Sequence, residues 1–285
     1  MKNYKVLDAD QVHEIMRQAR LNGTTDLALF AHGEPLSDKR MPSFVSQAKS
    51  LGYPYVFLVS NGSLAVPKII KPILDAGLDS IKFSINAFTR EEYKVVHGKD
   101  DFNKVIKNLK WIFDYRNENN LSLGIYVSCV KNSKSSPDEK LIEKTFRSFC
   151  DNFDFRNISN QGGTMTELNE TETIEAGNIL GSLHKREITG HCVYPFNRMV
   201  VNAYGHVTAC TADFLDRLWI GDTRKHTLAE IWLSDKYRYF RRRHLCEDYK
   251  GLNCDACIRN LPDKCRNNSG DDTTTLEEAY TREQL

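Results

Sequence analysis

The chain has 285 residues, 40% of them hydrophobic, and 39 Lys and Arg against 38 Asp and Glu give a formal net charge of +1. That length suits one large domain with a small appendage, and the near-neutral balance offers no electrostatic argument for a nucleic-acid or membrane partner. No apolar stretch reaches the ~18 residues needed to cross a bilayer, and MKNYKVLDADQVHEIM lacks the apolar core of a signal peptide, so the expected location is cytoplasmic, where thiols stay reduced.

From residue 10 to about residue 160 the pattern alternates between strands and helices. Asp10 is placed to cap a helix over 11–21, with Val12, Ile15, Met16 and Ala19 on its apolar side and Gly23 after it. DLALF (26–30) reads as a strand, then a helix from about Pro42 to Leu51 closed by Gly52. YVFLV (55–59) is the second strand and ends at Ser60-Asn61-Gly62; Pro67 opens a helix that stops at Gly77. SIKFSI (80–85) is the third strand, Thr89 begins a short helix, and a longer one runs from Phe102 to Asn119. SLGIYVSCV (122–130) and FDFRNIS (153–159) are the fourth and fifth strands, with a helix opened by Pro137 between them. Apolar strands separated by helices of this length indicate a parallel sheet with right-handed crossovers. Five strands are too few for a closed eight-stranded barrel, so an open, partial parallel barrel is expected.

Residues 161–190 are polar and turn-rich and read as a linker. The pattern then changes. RMVVN (198–202) and HVTAC (206–210) flank Ala203-Tyr204-Gly205, a three-residue hairpin turn with glycine where φ must be positive. LWIGD follows, then helices near Thr227–Leu233 and Asp235–His244. Arg241-Arg242-Arg243-His244 on the second of these reads as a solvated helical face, and the tail 267–285 is polar.

Ligands of parallel α/β sheets sit at the carboxyl ends of the strands. Here those ends are polar: Gly33 and Glu34 after the first strand, Ser60-Asn61-Gly62 after the second, Ser84 and Asn86 after the third. Gly33 would let a ligand approach the backbone closely, and Glu34 beside it would hold an ammonium group. Each position alone also suits a turn; three successive strand ends together make the stronger signal.

The cysteines form the second constellation. None precedes Cys129. Cys129 and Cys150 fall in a strand and at a helix end and read as buried inert thiols. Cys192 and Cys210 flank the hairpin, and Cys254-x-x-Cys257 is placed on a tight turn, with Cys246 and Cys265 beside it. Two distant cysteine pairs are what a tetrahedral thiolate site needs, and the cysteines by themselves suit a structural zinc as well as an iron–sulfur cluster.

Gly-Glu-Pro after a strand, Ser-Asn-Gly after the next, FSINAFTREEYKVVHG after the third and the Cys-rich C-terminal region together resemble the radical S-adenosylmethionine superfamily. CVYPFNRMVVNAYGHVTAC, IGD and TLAEIW are similar to its SPASM/twitch extension, and the resemblance covers roughly residues 8 to 265. It implies a partial radical barrel over 1–160, an auxiliary-cluster module over 191–266, and 5′-deoxyadenosyl radical chemistry on a peptide, protein or small-molecule substrate, with an external electron donor. By the same resemblance, Gly33 and Glu34 bind the methionyl amino group of S-adenosylmethionine, Ser84 helps hold its carboxylate, and Asn61 lines the site. Cys192, Cys210, Cys254 and Cys257 would ligate one auxiliary [4Fe–4S] cluster, leaving Cys246 and Cys265 unassigned.

The family's Cys-x3-Cys-x2-Cys motif, which holds the catalytic cluster after the first barrel strand, does not occur in these residues. The reading favoured by the intact remainder of the site is a piece of a longer enzyme, lacking the first strand and inactive alone. The alternatives are a non-catalytic protein with a structural zinc, or an electron-transfer protein with a single cluster.

Overall fold

The computed structural model describes residues 5–130, 139–156, 192, 194–213, 215 and 217–259. The linker 161–190, Cys265 and the tail 267–285 lie outside the described residues. The chain divides into two compact units, Ala9–Asn157 and Met1–Asp8 with Ile158–Leu285.

The first unit is a five-stranded parallel sheet, β1 (Asp26–Ala28), β2 (Tyr55–Ser60), β3 (Ser80–Ser84), β4 (Gly124–Val130) and β5 (Asn152–Arg156), hydrogen-bonded in sequence order. Between the strands run α1 (Ala9–Leu21), α2 (Met41–Ser50), α3 (Pro67–Asp75), α4 (Arg90–His97), α5 (Phe102–Glu118) and α6 (Glu139–Thr145), α1 preceding the first strand. The parallel α/β expectation is met. Sequential order with right-handed crossovers carries every helix to the same face of the sheet, which is how a barrel winds. Burial agrees: Val56, Leu58, Ile81, Phe83, Ile125, Val127 and Cys129 lie in the core with the helices. The intervening positions, Tyr55, Phe57, Lys82, Ser84, Tyr126, Asn152 and Asp154, are only part-buried or exposed. Strand residues alternate between faces, so one face is apolar and the other largely polar.

The amino-terminal ends of the strands are fixed by a repeated device. Asp79, just before β3, accepts the Val56 N–H at 2.7 Å and pairs with Lys49 of α2 at 2.7 Å. Asp151, just before β5, accepts the Ile125 N–H at 2.7 Å and pairs with Arg116 of α5 at 2.7 Å. Each carboxylate thus satisfies a strand N–H outside the ladder and is neutralised by a helix cation.

Helix ends follow the sequence closely. Thr89 and Glu92 form a reciprocal capping box on α4, which Gly98 ends in the left-handed region at φ 66°. The first helix starts at Ala9, so Asp10 sits in its first turn and is not its cap. There it faces the positive end of the helix dipole.

In the second unit, β6 (Val200–Val201), β7 (His206–Thr208) and β8 (Trp219–Asp222) form an antiparallel sheet. The Asn202 side chain accepts from the backbone of Tyr204 (2.9 Å) and His206 (3.1 Å), and Gly205 takes φ 77°, as the hairpin turn requires. Helices α7 (Tyr194–Asn197), α8 (Leu228–Trp232), α9 (Asp235–Leu245) and α10 (Asn253–Arg259) complete it. Thr227 with Glu230 caps α8 by a second reciprocal box, and the Ser234 hydroxyl caps α9. The solvated-face reading of Arg241–His244 is corrected for two of its members: Arg241 and His244 are 1% and 0% exposed. Arg241 lies against the rings of Trp232 and Tyr237 and donates to the Trp232 carbonyl at 2.8 Å.

Candidate functional sites

In the parallel unit, β1 runs out at Ala28 and the chain turns through Gly33 into a single 3-10 turn over Pro35–Ser37. Glu34 is the cap of that turn, and its carboxylate does three things at once. Oε1 accepts the Leu36 N–H at 3.1 Å and the Ser60 hydroxyl at 2.8 Å; Oε2 accepts the Asn61 N–H at 2.9 Å. The end of the first strand is thereby tied to the end of the second. An ionised carboxylate offers about four acceptor sites, so three protein donors leave about one for a ligand.

Asn61 folds its own turn, its side-chain oxygen accepting from Ser63 N–H at 2.9 Å. Gly62 is required there by two facts. It takes φ 76°, and a Cβ would come within 2.7 Å of Phe83 Cδ1. Gly33 is different: its φ is ordinary and a Cβ would meet no atom within 4 Å beyond its chain neighbours. Packing does not demand a glycine at 33, which leaves open space above the backbone for a ligand.

Ser84 stands at the end of β3 in register with Ser128 of β4, which is in register with Asp154 of β5. One row of polar side chains therefore crosses the sheet near the carboxyl ends of its strands. Ser128 and Asp154 escaped the sequence reading, though strand alternation in GIYVSCV gives Ser128 the same phase as Ser84. Asn86, beyond Ser84, accepts the Val130 N–H at 3.0 Å and donates its own N–H to His97 Nε2 at 3.4 Å. Burial holds the His97 imidazole below its ordinary pKa, which keeps the acceptor nitrogen unprotonated.

In the second unit, Cys192, Cys210, Cys254 and Cys257 line one cavity of about 40 Å³. Its other walls include Pro195, Ala209, Phe240 and His244 and are almost wholly apolar. Cys192 lies just before α7 and Cys210 two residues after β7; Cys254 and Cys257 lie on α10, which corrects the tight-turn expectation. The correction preserves the function of the spacing, since residues three apart on a helix share a face. Burial pushes the Cys210 thiol up to about 11, and it pushes Cys254 up further, with the thiols of Cys210 and Cys257 adding to the rise. Such thiols stay protonated at neutral pH unless a metal displaces the proton. Cys210 Sγ accepts the Ala212 N–H at 3.3 Å, a donor suited to a thiolate. Buried Asp213 staples the adjoining loop by accepting from Arg217 and Leu218 N–H at 2.8 and 2.7 Å. Its partners lie four and five residues on, and nothing in the local pattern marked it.

Cys246 is the exposed C-cap of α9 and is not on the cavity wall. Cys129 and Cys150 belong to the parallel unit; Cys129 is buried as expected, Cys150 is only part-buried, and desolvation raises their thiols to about 12 and about 11.

The sequence model of the Radical SAM superfamily matches residues 1–131, and that of the iron–sulfur cluster-binding domain SPASM matches residues 192–258. The chain carries a Radical SAM superfamily region and a SPASM region. Its SPASM region contains all four cysteines of the cavity. The cofactors these two domains imply are iron–sulfur clusters and S-adenosylmethionine.

Among curated relatives, the chain is 44% identical over 80 residues to an uncharacterised protein of Methanocaldococcus jannaschii, covering 28% of each. It is 33% identical over 112 residues to a "Probable GTP 3',8-cyclase" of Saccharolobus islandicus, covering 39% of this chain and 35% of the relative. The chain thus spans about a third of the length of the curated relatives it matches. Among solved structures, it resembles anSMEcpe with bound AdoMet at TM-score 0.57 and 18% identity, covering 99% of this chain and 88% of the other. It resembles Streptococcus suis SuiB bound to precursor peptide SuiA at TM-score 0.60 and 14% identity, covering 96% and 68%. BtrN in complex with AdoMet and 2-DOIA gives TM-score 0.56 at 18% identity, covering 93% and 85%. These likenesses show the fold. Among the described residues, no helix is long and apolar enough to cross a membrane.

Proposed function

We propose that this chain carries the S-adenosylmethionine cradle and the auxiliary-cluster module of a radical enzyme acting on a peptide, protein or small-molecule substrate. The observation that carries the reading is the gathering of Cys192, Cys210, Cys254 and Cys257 around one apolar cavity. A lone zinc needs its sulfurs at about 2.3 Å from a single centre. A [4Fe–4S] cluster places its four thiolates on separate irons, and four thiols on the walls of one apolar cavity suit it.

In the parallel unit, the open acceptor site of Glu34 would take the methionyl ammonium, with Gly33 allowing the ligand against the backbone. Asn61 would line the site, and the Ser84 hydroxyl would donate to the methionyl carboxylate. When bound, S-adenosylmethionine with a catalytic cluster supplies a hydrogen-abstracting radical. The chain's own residues fix and orient the cofactor, and the apolar wall around the cysteines excludes water from the second site. The solved structures it resembles include proteins bound to a precursor peptide and to 2-DOIA, so a peptide and a small molecule both fit this reading. An external protein electron donor completes the set of partners.

These residues contain no Cys-x3-Cys-x2-Cys, so this chain by itself is expected to yield no 5′-deoxyadenosine from S-adenosylmethionine and a strong reductant. The decisive experiment is iron, sulfide and zinc analysis of anaerobically purified protein beside Cys254→Ala/Cys257→Ala. About four irons and four sulfides per chain, lost in the variant, are expected. One zinc without sulfide would overturn the reading.

A further inference from the structure

Helix α9 has two faces of different chemistry. Inward, Phe240 and His244 form part of the cysteine cavity wall. Outward, Tyr239 is 62% exposed. Arg238 and Arg242 are exposed beside it and form no ion pair among the described residues. Lys236, at the margin of this face, lies 4.4 Å over the ring of Trp219, itself 42% exposed. The helix DKYRYFRRRHL carries five basic residues against one acid, Asp235. Arg241 is buried and Arg243 is held by Asp248 at 3.1 Å, which leaves Lys236, Arg238 and Arg242 to set the charge. Asp235 and Glu247 are the exposed carboxylates nearest in sequence to this face.

A solvated helical face accounts for the charges alone. It does not account for Tyr239 and Trp219 among them, since exposed aromatics with arginine are the composition of protein interfaces. Nor does it account for position: the outer surface stands one helix thickness, ~10–12 Å, from the cavity wall. Resting on the cluster reading of that cavity, we propose that the outer face of α9, centred on Tyr239 with Lys236, Arg238 and Arg242, docks an acidic one-electron carrier protein. The carrier is oxidised by one electron and the cluster is reduced by one; no bond forms or breaks. Charge complementarity selects the carrier, and the thin helix sets the transfer distance.

The test uses the cluster-loaded chain and an acidic plant-type [2Fe–2S] ferredoxin. Affinity for oxidised ferredoxin is measured by calorimetric titration at low and high salt, for wild type and for Arg238→Glu/Arg242→Glu. Binding at low salt that weakens by about tenfold or more with added salt, and likewise in the variant, is expected. Iron and sulfide content and bleaching of the cluster by dithionite should be equal in the two proteins, which shows that the variant is intact. No binding by wild type, or equal affinity in the variant, overturns the docking surface. Zinc without sulfide overturns the cluster reading instead, and is known from metal analysis before any ferredoxin is added.

Discussion

The carboxylate of Glu34 and the backbone N–H of Asn61 meet at 2.9 Å, and the same carboxylate takes the Ser60 hydroxyl at 2.8 Å. A residue proposed to bind ligand is thus also a clamp between two strand ends. Replacing Glu34 by Gln leaves one oxygen where there were two and puts an NH2 group against donors. The expected result is a loss of about 1–3 kcal/mol of unfolding free energy, read by urea denaturation, together with loss of S-adenosylmethionine binding by equilibrium dialysis. Unchanged stability would show that the clamp contributes nothing.

Gly62 and Gly33 should part company on substitution by alanine. Gly62→Ala places a Cβ 2.7 Å from Phe83 Cδ1 at φ 76° and is expected to cost roughly 2–4 kcal/mol. Gly33→Ala meets no such neighbour and should stay within about 0.5 kcal/mol of wild type, its effect appearing in ligand affinity alone. Equal thermal shifts for the two variants would remove the distinction.

The His97 imidazole is held below its ordinary pKa by burial, so the folded state binds fewer protons here than the unfolded chain. Stability contributed by this group is therefore full above about pH 6.5, the unfolded value. It is lost as pH falls from there toward the lower folded value. His97→Phe should lose the corresponding part of the slope in melting temperature between about pH 7.5 and 5.5. A variant slope identical to wild type would sink the assignment.

Thiol reactivity should follow burial. At about pH 8, Cys246 is exposed and is expected to alkylate first, while Cys129, raised to about 12, carries a thiolate fraction of only ~10⁻⁴. Peptide mapping by mass spectrometry after timed iodoacetamide treatment gives the order. The four cavity cysteines should be protected in the metal-loaded protein and become labelled after chelation. Early labelling of Cys129 in native protein would contradict the packing.

The five strands of the parallel unit were legible in the sequence because each is a short apolar run between helices of different period. Their ends were less so. DLALF was expected to be strand to Phe30, yet the ladder stops at Ala28 and only the Leu29 N–H still pairs, with the Phe57 carbonyl at 3.1 Å. The Cys-x-x-Cys pair reads as a turn in the sequence because α10 has seven residues, too few to display a helical period. The four-residue α7 was invisible for the same reason. Gly33, Glu34, Asn61 and Ser84 stood out as strand-end chemistry. The link from Glu34 to Asn61 bridges 27 residues, and no local pattern encodes it.

Strand order has a consequence for how the chain is made. In the parallel unit each strand pairs with the one just synthesised: residue 26 with 55, 57 with 80, 80 with 124, and 126 with 152. Among the described residues no strand waits for a partner encoded far downstream, so the sheet is able to assemble in step with the ribosome. The cysteine cavity has the opposite schedule. Its wall closes only when Cys254 and Cys257 have emerged, so on the proposed cluster reading metal capture would follow synthesis of all five strands.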